Sequence, residues 1–304
     1  MVQKILKDNY GRVLTSLRIQ LNSTCNFNCF FCHREGTGQT SKELSIEDIE
    51  KIAKAASGYG ITKIKLTGGE PTLRRDLLEV VRTLKKYVKE GSMTTHGTML
   101  PKIAKDLKEA GLDRVNISLH AITKDTFKLI TGVDFLERVL EAIDAANSAG
   151  LQVKIDFVVL KGVNTDQIDA MLEFAASKNA ILQLIEYETS VEGEKSAEYI
   201  KYHQDLSEIE KEISSKALAV ERNELHNRPR YTIMTAKGLV KVEFVMPMHN
   251  PDFCAHCNRL RVTSDGYFKT CLWKPARILI KGADEASIGA LLEKASLERE
   301  HYWK

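Results

Sequence analysis

From about Ser16 to Tyr187 the chain alternates between two hydrophobic periods. Short apolar runs at residues 17–21, 63–67, 92–95, 114–119, 153–160 and 181–187 predict strands. Between them, apolar residues recur three and four apart, the spacing of one helix face. Ser45 is placed as an N-cap for a helix buried through Ile46, Ile49, Ile52, Ala53 and Ala56. Leu77, Leu78, Val81 and Leu84 predict a second helix. Phe135, Val139, Ala142, Ile143 and Ala146 predict another, ended by Gly150. Met171, Phe174 and Ala175 belong to the last. Six strands in βα order imply a parallel sheet with right-handed crossovers, open or curled into a partial barrel. In either case chemistry gathers at the carboxyl ends of the strands.

The alternation then stops. Residues 189–215 are rich in Glu and Lys and read as a linker with a solvated helix. Residues 231–234 and 239–245 flank Thr235-Ala-Lys-Gly238 and predict a β-hairpin. Ile288, Leu291, Leu292 and Ala295 predict a closing helix. The expected division is 1–188 for a partial six-stranded (β/α) TIM-type barrel and 189–304 for a smaller α+β domain. A chain of 304 residues, 43% hydrophobic and 28% charged, suits a soluble α/β protein with a sizeable core. The net charge of +3 gives no sign of a genomic nucleic-acid binder. No apolar run is long enough to span a membrane, and the first ten residues lack a signal-peptide core. The expected compartment is the cytoplasm, where clustered thiols are metal ligands more often than disulfides.

All six cysteines fall in two triplets. Cys25, Cys29 and Cys32 follow the first predicted strand; Cys254, Cys257 and Cys271 follow the hairpin. Three thiolates hold a [4Fe–4S] cube at three corners and leave one iron open to a small molecule. A Cys3His zinc site with His33 as the fourth ligand is the alternative for the first triplet. Phe27, Phe30 and Phe31, interleaved with the ligands, favour a shielded cluster. Gly68-Gly69-Glu70-Pro71 follows the second strand. Its glycines permit close backbone approach to a ligand, and Glu70 is a candidate partner for an ammonium group.

Cys25-Asn-Phe-Asn-Cys29-Phe-Phe-Cys32 together with Leu66-Thr-Gly-Gly-Glu-Pro71 resembles the radical S-adenosylmethionine (SAM) enzymes. Cys254-Ala-His-Cys257-Asn-Arg259-Leu-Arg261, Ser264-Asp-Gly266 and Cys271 resemble the second-cluster signature of the GTP 3′,8-cyclase family of molybdenum cofactor biosynthesis. The resemblance implies two [4Fe–4S] clusters and SAM as cofactors. The first cluster would bind SAM and cleave it to a 5′-deoxyadenosyl radical. The radical would remove the 3′ hydrogen of GTP, and the ribose carbon would attack C8 of guanine, held at the second cluster. For SAM, the resemblance points to Phe31, Gly68, Gly69, Glu70, Ser118 and Glu188. For GTP it points to Arg18, Lys63, Lys65, Thr94, Lys161, Arg259, Leu260 and Arg261. The basic members of that set sit at predicted strand positions or beside the second triplet, where a cationic cavity would suit a triphosphate. The implied partners are a flavodoxin- or ferredoxin-like electron donor, a cyclic pyranopterin monophosphate synthase that takes the product, and a second copy in a homodimer.

Several positions depart from the family pattern. Phe31 replaces tyrosine, Lys65 and Gln183 replace arginines, His96 replaces asparagine and His120 replaces aspartate. The chain ends Glu300-His-Tyr-Trp-Lys304, without a Gly-Gly tail. His203, His226, His249 and His301 are expected to be surface or packing residues. The rival readings are a peptide-modifying radical SAM enzyme with an auxiliary cluster and a non-catalytic zinc-binding module.

Overall fold

A computed structural model describes residues 4–223, 225–274 and 277–301. The expected βα run is present. Its strands are β1 (Ser16–Gln20), β2 (Lys63–Thr67), β3 (Glu90–Thr95), β4 (Arg114–Ser118), β5 (Gln152–Val159) and β6 (Ile181–Glu186). Between them lie α1 (Ile46–Gly58), α2 (Leu77–Lys85), α3 (Leu100–Glu109), α4 (Lys124–Thr131), α5 (Leu136–Ser148) and α6 (Ile168–Ser177). Ser45 caps α1 in a reciprocal box: its hydroxyl accepts from the Asp48 N–H and the Asp48 carboxylate accepts from the Ser45 N–H. Gly150 follows α5 in the left-handed region (φ 75°). Most strand residues that line the interior are polar, with Val158 and Ile185 as apolar exceptions, whereas Leu17, Ile19, Leu66, Ile117 and Ile155 belong to one buried core.

Residues beyond 188 extend this sheet. Two short helices, α7 (Ala197–Tyr202) and α8 (Ser207–Ser215), lead to β7 (Ala219–Arg222), β8 (Pro229–Thr235) and β9 (Gly238–Val245). The predicted hairpin is β8–β9, with β7 added as its outer edge. The helix α9 (Pro251–Ala255) carries Cys254; β10 (Arg259–Val262), β11 (Tyr267–Lys269), β12 (Arg277–Leu279) and α10 (Glu285–Leu297) follow. The resulting sheet has twelve strands in the order β12-β11-β10-β1-β2-β3-β4-β5-β6-β9-β8-β7. β10 pairs parallel to β1, and β9 pairs parallel to β6. The parallel run is thus one strand longer at each edge than the six predicted. Four-residue β10 was too short, and too interrupted by arginine, to show as an apolar run. The two ends of the curled sheet are bridged where the His226 N–H donates to the His256 carbonyl, 3.0 Å. Among the described residues no helix is long and apolar enough to cross a membrane.

The C-terminal strands are fastened to the barrel by a buried ion network. Glu243 on β9 is fully buried. It meets Lys154 of β5 at 2.8 Å, Arg230 of β8 at 2.6 Å and Arg228 at 3.6 Å. Burial alone would raise its pKa, but Lys154, Arg228 and Arg230 outweigh it and hold the carboxyl at about 2. Glu243→Gln should cost about 3–5 kcal/mol in denaturant unfolding of the iron-free protein, because three cations lose their counter-charge. A carboxyl with a depressed folded pKa stabilises above its unfolded value, here 4.5, and loses that effect as pH falls toward about 2. The gap between wild type and variant should therefore be full above pH 4.5 and close on acidification. A gap independent of pH would contradict this assignment.

Candidate active site

Both cysteine triplets open onto one cavity of about 470 Å³ inside the curled sheet. The first triplet occupies the loop after β1. Its backbone is tied to the end of α4, with the Asn28 N–H donating to Thr131 O (2.9 Å) and the Phe30 N–H to Ile130 O (3.3 Å). The loop also turns N–H groups onto its sulfurs: Phe27 onto Cys25 Sγ and Arg34 onto Cys32 Sγ, each 3.4 Å. Burial raises the pKa of Cys25 and Cys32 and pushes Cys29 up to about 12. Three thiolates on one short loop facing one cavity need a cationic centre. An iron–sulfur cube fits this donor set, and the N–H to sulfur bonds are those that tune such clusters. His33 is not placed as a fourth ligand. Its Nδ1 accepts from the Glu35 N–H (3.0 Å), and its Nε2 faces Glu188 at 3.7 Å. Among the described residues no three His, Cys, Asp or Glu side chains converge on a single metal ion.

The glycine motif has a structural duty. An added Cβ on Gly68 would strike Asn22 Oδ1, and one on Gly69 would strike Thr24 O. The two glycines therefore let the β2 loop lie directly on the strand exit that leads to Cys25. Glu70 differs from the expectation of an open carboxylate. Its Oε1 accepts from the Thr72 N–H (3.0 Å) and from the hydroxyls of Thr72 (2.5 Å) and Thr95 (2.6 Å); its Oε2 accepts from the His96 N–H (2.9 Å). It ties β2 to β3. His96 completes the tie through Asn26 (2.7 Å) and a stack on Phe27 (4.0 Å). Phe31 meets His120 edge-on at 4.9 Å, and Ser118 and Glu188 line the same wall. Burial drives His120 down to about 3, so it is neutral, and its Nδ1 accepts from the Val158 N–H.

The second triplet is held by both ends of the described chain. Asn250 caps α9, accepting from the Phe253 N–H at 3.0 Å. Arg12 donates to Cys254 O (3.0 Å) and Arg299 to Cys257 O (2.6 Å). Asp8 binds both arginines, at 2.6 and 2.8 Å. Burial opposes ionisation of Cys257, yet Arg299, the Arg259 N–H, Arg259 and Arg261 bring its pKa below the usual thiol value. His226 is a buried packing residue, stacked on Phe253 at 3.6 Å. Residues 302–304, where the tail departs from the family pattern, lie outside the described residues.

The cationic wall comes from sheet register. Parallel pairing sets Arg261 beside Arg18 and Arg18 beside Lys65. Leu260 alternates to the other face and is fully buried in the core, so its side chain does not line the cavity. Lys161 does not line it either. The loop after β5 turns outward, the Lys161 N–H donates to Tyr202 O (2.8 Å), and the side chain is exposed. Thr94 and Lys63 do line the cavity. Burial drives the Lys65 ammonium well below its ordinary pKa, with Asp156 opposing. Burial, Arg18 and Arg261 lower that of Arg259. The Nε groups of Arg18, Arg114, Arg228 and Arg259 are buried without acceptors. Unpaired donors of this kind in one polar cavity mark the seat of an anion. Gln183 bonds Asp156 (2.9 Å) and accepts from Arg228 (3.2 Å), so a guanidinium from the segment before β8 reaches the place where the family pattern has an arginine on β6. Sequence reading missed Arg228 and Glu35, neither of which belongs to a motif.

The description "Radical SAM superfamily" matches residues 19–175, and "Molybdenum Cofactor Synthesis C" matches residues 180–304. A probable GTP 3′,8-cyclase of Thermoplasma volcanium is 60% identical over 99% of this chain and 93% of its own length. One from Thermococcus kodakarensis is 47% identical over 99% of this chain and its own full length. Among solved structures, Streptococcus suis SuiB bound to precursor peptide SuiA superposes with TM-score 0.69 at 15% identity, over 91% of this chain and 64% of that one. Native anSMEcpe with bound AdoMet gives TM-score 0.60 at 17% identity, over 93% of this chain and 84% of that one. These two likenesses concern the fold. By its sequence relatives and both matched segments, the chain belongs to the radical SAM superfamily and, within it, to the GTP 3′,8-cyclase family.

Proposed function

We propose that the protein is a GTP 3′,8-cyclase, converting GTP to (8S)-3′,8-cyclo-7,8-dihydroguanosine 5′-triphosphate in the first step of molybdopterin synthesis. The observation that carries this reading is the cationic wall between the two cysteine triplets, in which the buried Nε groups of Arg18 and Arg259 have no acceptor. Cys25, Cys29 and Cys32 would hold one [4Fe–4S] cluster, and Cys254, Cys257 and Cys271 the other. Bound there, the first cluster and SAM supply a 5′-deoxyadenosyl radical. The chain's own residues do the rest. Phe31, Gly68, Gly69, Ser118 and Glu188 shape the SAM side of the cavity, with Glu70 as a tie behind it. Arg18, Lys63, Lys65, Thr94, Arg259 and Arg261 orient the nucleotide, the buried Nε groups of Arg18 and Arg259 being without acceptors in the protein itself. The buried wall keeps bulk water from the reacting ribose.

Residues 1–188 form the SAM-binding part in this reading, and 189–304 bring the second cluster over the barrel mouth. A flavodoxin- or ferredoxin-like protein would deliver the electron in the cytoplasm. A cyclic pyranopterin monophosphate synthase would consume the product. A second copy of the chain would complete the homodimer expected from the family.

Reduced protein incubated anaerobically with SAM and GTP should yield the cyclised nucleotide and 5′-deoxyadenosine. Cleavage of SAM without a new nucleotide would sink the reading. Each cube carries four irons, so wild type should reconstitute to about eight irons and Cys29→Ala to about four, without SAM cleavage. Cys257→Ala should also retain about four but keep some uncoupled SAM cleavage. If it lost cleavage with the first cluster intact, the division of labour would be wrong. Arg259→Ala should weaken GTP binding by about 1.5–3 kcal/mol in anaerobic titration, at unchanged iron content. Lost iron with unchanged GTP affinity would place Arg259 with the cluster loop instead.

A further inference from the structure

Glu35 belongs to no motif, yet it stands where the two halves of the cavity meet. It lies three residues after Cys32, in a turn whose backbone is left-handed at this position (φ 56°). That conformation is disfavoured for a residue with a Cβ and persists only when its surroundings impose it. The surroundings here do. His33 Nδ1 accepts the Glu35 N–H, and Lys269 donates to the Gly36 carbonyl. Gly36 lies so close to Leu272 O that no side chain would fit. The turn is thus wedged against the strand and loop that carry Cys271.

Its side chain is buried and meets residues of three neighbouring strands, β10, β1 and β2. One carboxylate oxygen meets Arg18 Nη2 at 2.7 Å and the Thr67 hydroxyl at 2.8 Å. The other meets Arg261 Nη1 at 2.7 Å. Each guanidinium gives one terminal nitrogen to Glu35 and keeps the remainder. The Nε of Arg18 is left buried without an acceptor. A carboxylate bridging two arginines presents the oxygen geometry that a phosphate would present. Arg18 and Arg261 sit on paired positions of neighbouring strands, where like charges repel. Without an anion between them the two side chains would splay. Glu35 is also the direct ionic link between the loop of the first triplet and the strand that follows Cys257.

We propose that Glu35 is a positioning residue for the nucleotide. Its carboxylate is an internal anion that holds Arg18 and Arg261 at the spacing in which they receive the substrate's phosphates. By the same bonds it fixes the first-triplet loop against β10. This rests on the reading that GTP is the substrate and that these arginines meet it. Glu35→Gln keeps the length and loses the charge, so the arginines no longer share one counter-ion. Glu35→Asp keeps the charge and is one methylene too short to span both. In both, the nucleotide still finds a cationic cavity but sits in it less well aligned with the reacting centre.

Wild type, Glu35→Gln and Glu35→Asp are reconstituted anaerobically. Each is compared for iron content, GTP affinity by titration, turnover, and 5′-deoxyadenosine formed per cyclised nucleotide. Both variants should hold wild-type iron and bind GTP within about threefold, since half a decade is a small change on the affinity scale. Turnover should fall roughly tenfold or more, the scale of small misplacements, and the deoxyadenosine-to-product ratio should rise. A wild-type ratio in Glu35→Asp overturns the two-point span. Iron loss in both variants, or a change confined to affinity, overturns the positioning role. Wild-type protein that binds no GTP sinks the substrate reading instead, whatever the variants do.

Discussion

Three cations placed abreast inside a barrel set the terms for the rest of this structure. Arg261, Arg18 and Lys65 occupy matching positions on three neighbouring parallel strands and face one cavity. Neighbouring strands lie about 4.8 Å apart, so these charges repel at short range in a poorly solvated space. A fold keeps such a row only if something else in the chain opposes the repulsion, or if a ligand does. Both apply here. Glu35 opposes it for two of the three, and its carboxyl is held at about 2 by that duty. Lys65 has no ion-pair partner among the described residues, and its ammonium is pressed toward the neutral form. An anion with several acceptor oxygens would relieve the row at a stroke, and the substrate class follows from that imbalance.

The route of the chain explains how the cavity is assembled. A six-stranded βα run alone would leave both sheet edges open and the first triplet facing solvent. The C-terminal segment adds β9 at one edge and β10 at the other, then bridges the ends near His226 and His256. Arg259 and Arg261 arrive on β10, and Arg228 and Glu243 arrive with the hairpin. The anionic groups are distributed so that each joins parts distant in sequence. Asp8 links Arg12 to Arg299, Glu243 links β5 to β8, and Glu35 links the first-triplet loop to β10. Buried ion pairs are weak sources of stability but strong sources of register. In this chain the register is what aims the cavity donors.

Much of this was legible in the sequence because it is local. The strands of the βα run fall within about two residues of their predicted limits, the ordinary uncertainty of element ends. Ser45 and Gly150 ended their helices as their chemistry requires. The two-residue spacing of Arg259 and Arg261 put both on one face. What escaped depends on distant partners. Glu35 looks like any charged loop residue until β10 returns beside β1. Arg228 follows a stretch with no strand pattern, and its position against Gln183 is set by the hairpin. Lys161 and Leu260 were assigned to the cavity from a strand-end position and from a motif. The outward turn after β5 and the pleat of β10 place them elsewhere. Glu70 sits where the motif puts it, but three neighbouring residues, Thr72, Thr95 and His96, take its oxygens.

Hydrogen transfer requires the SAM end and the nucleotide end of the cavity to lie within reach of each other. Deuterium carried from C3′ of GTP into 5′-deoxyadenosine measures that reach directly. Reduced protein supplied with SAM and 3′-deuterated GTP should give 5′-deoxyadenosine bearing one deuterium for each cyclised nucleotide. Cyclised product accompanied by unlabelled 5′-deoxyadenosine would contradict the placement of the substrate between the two cysteine triplets.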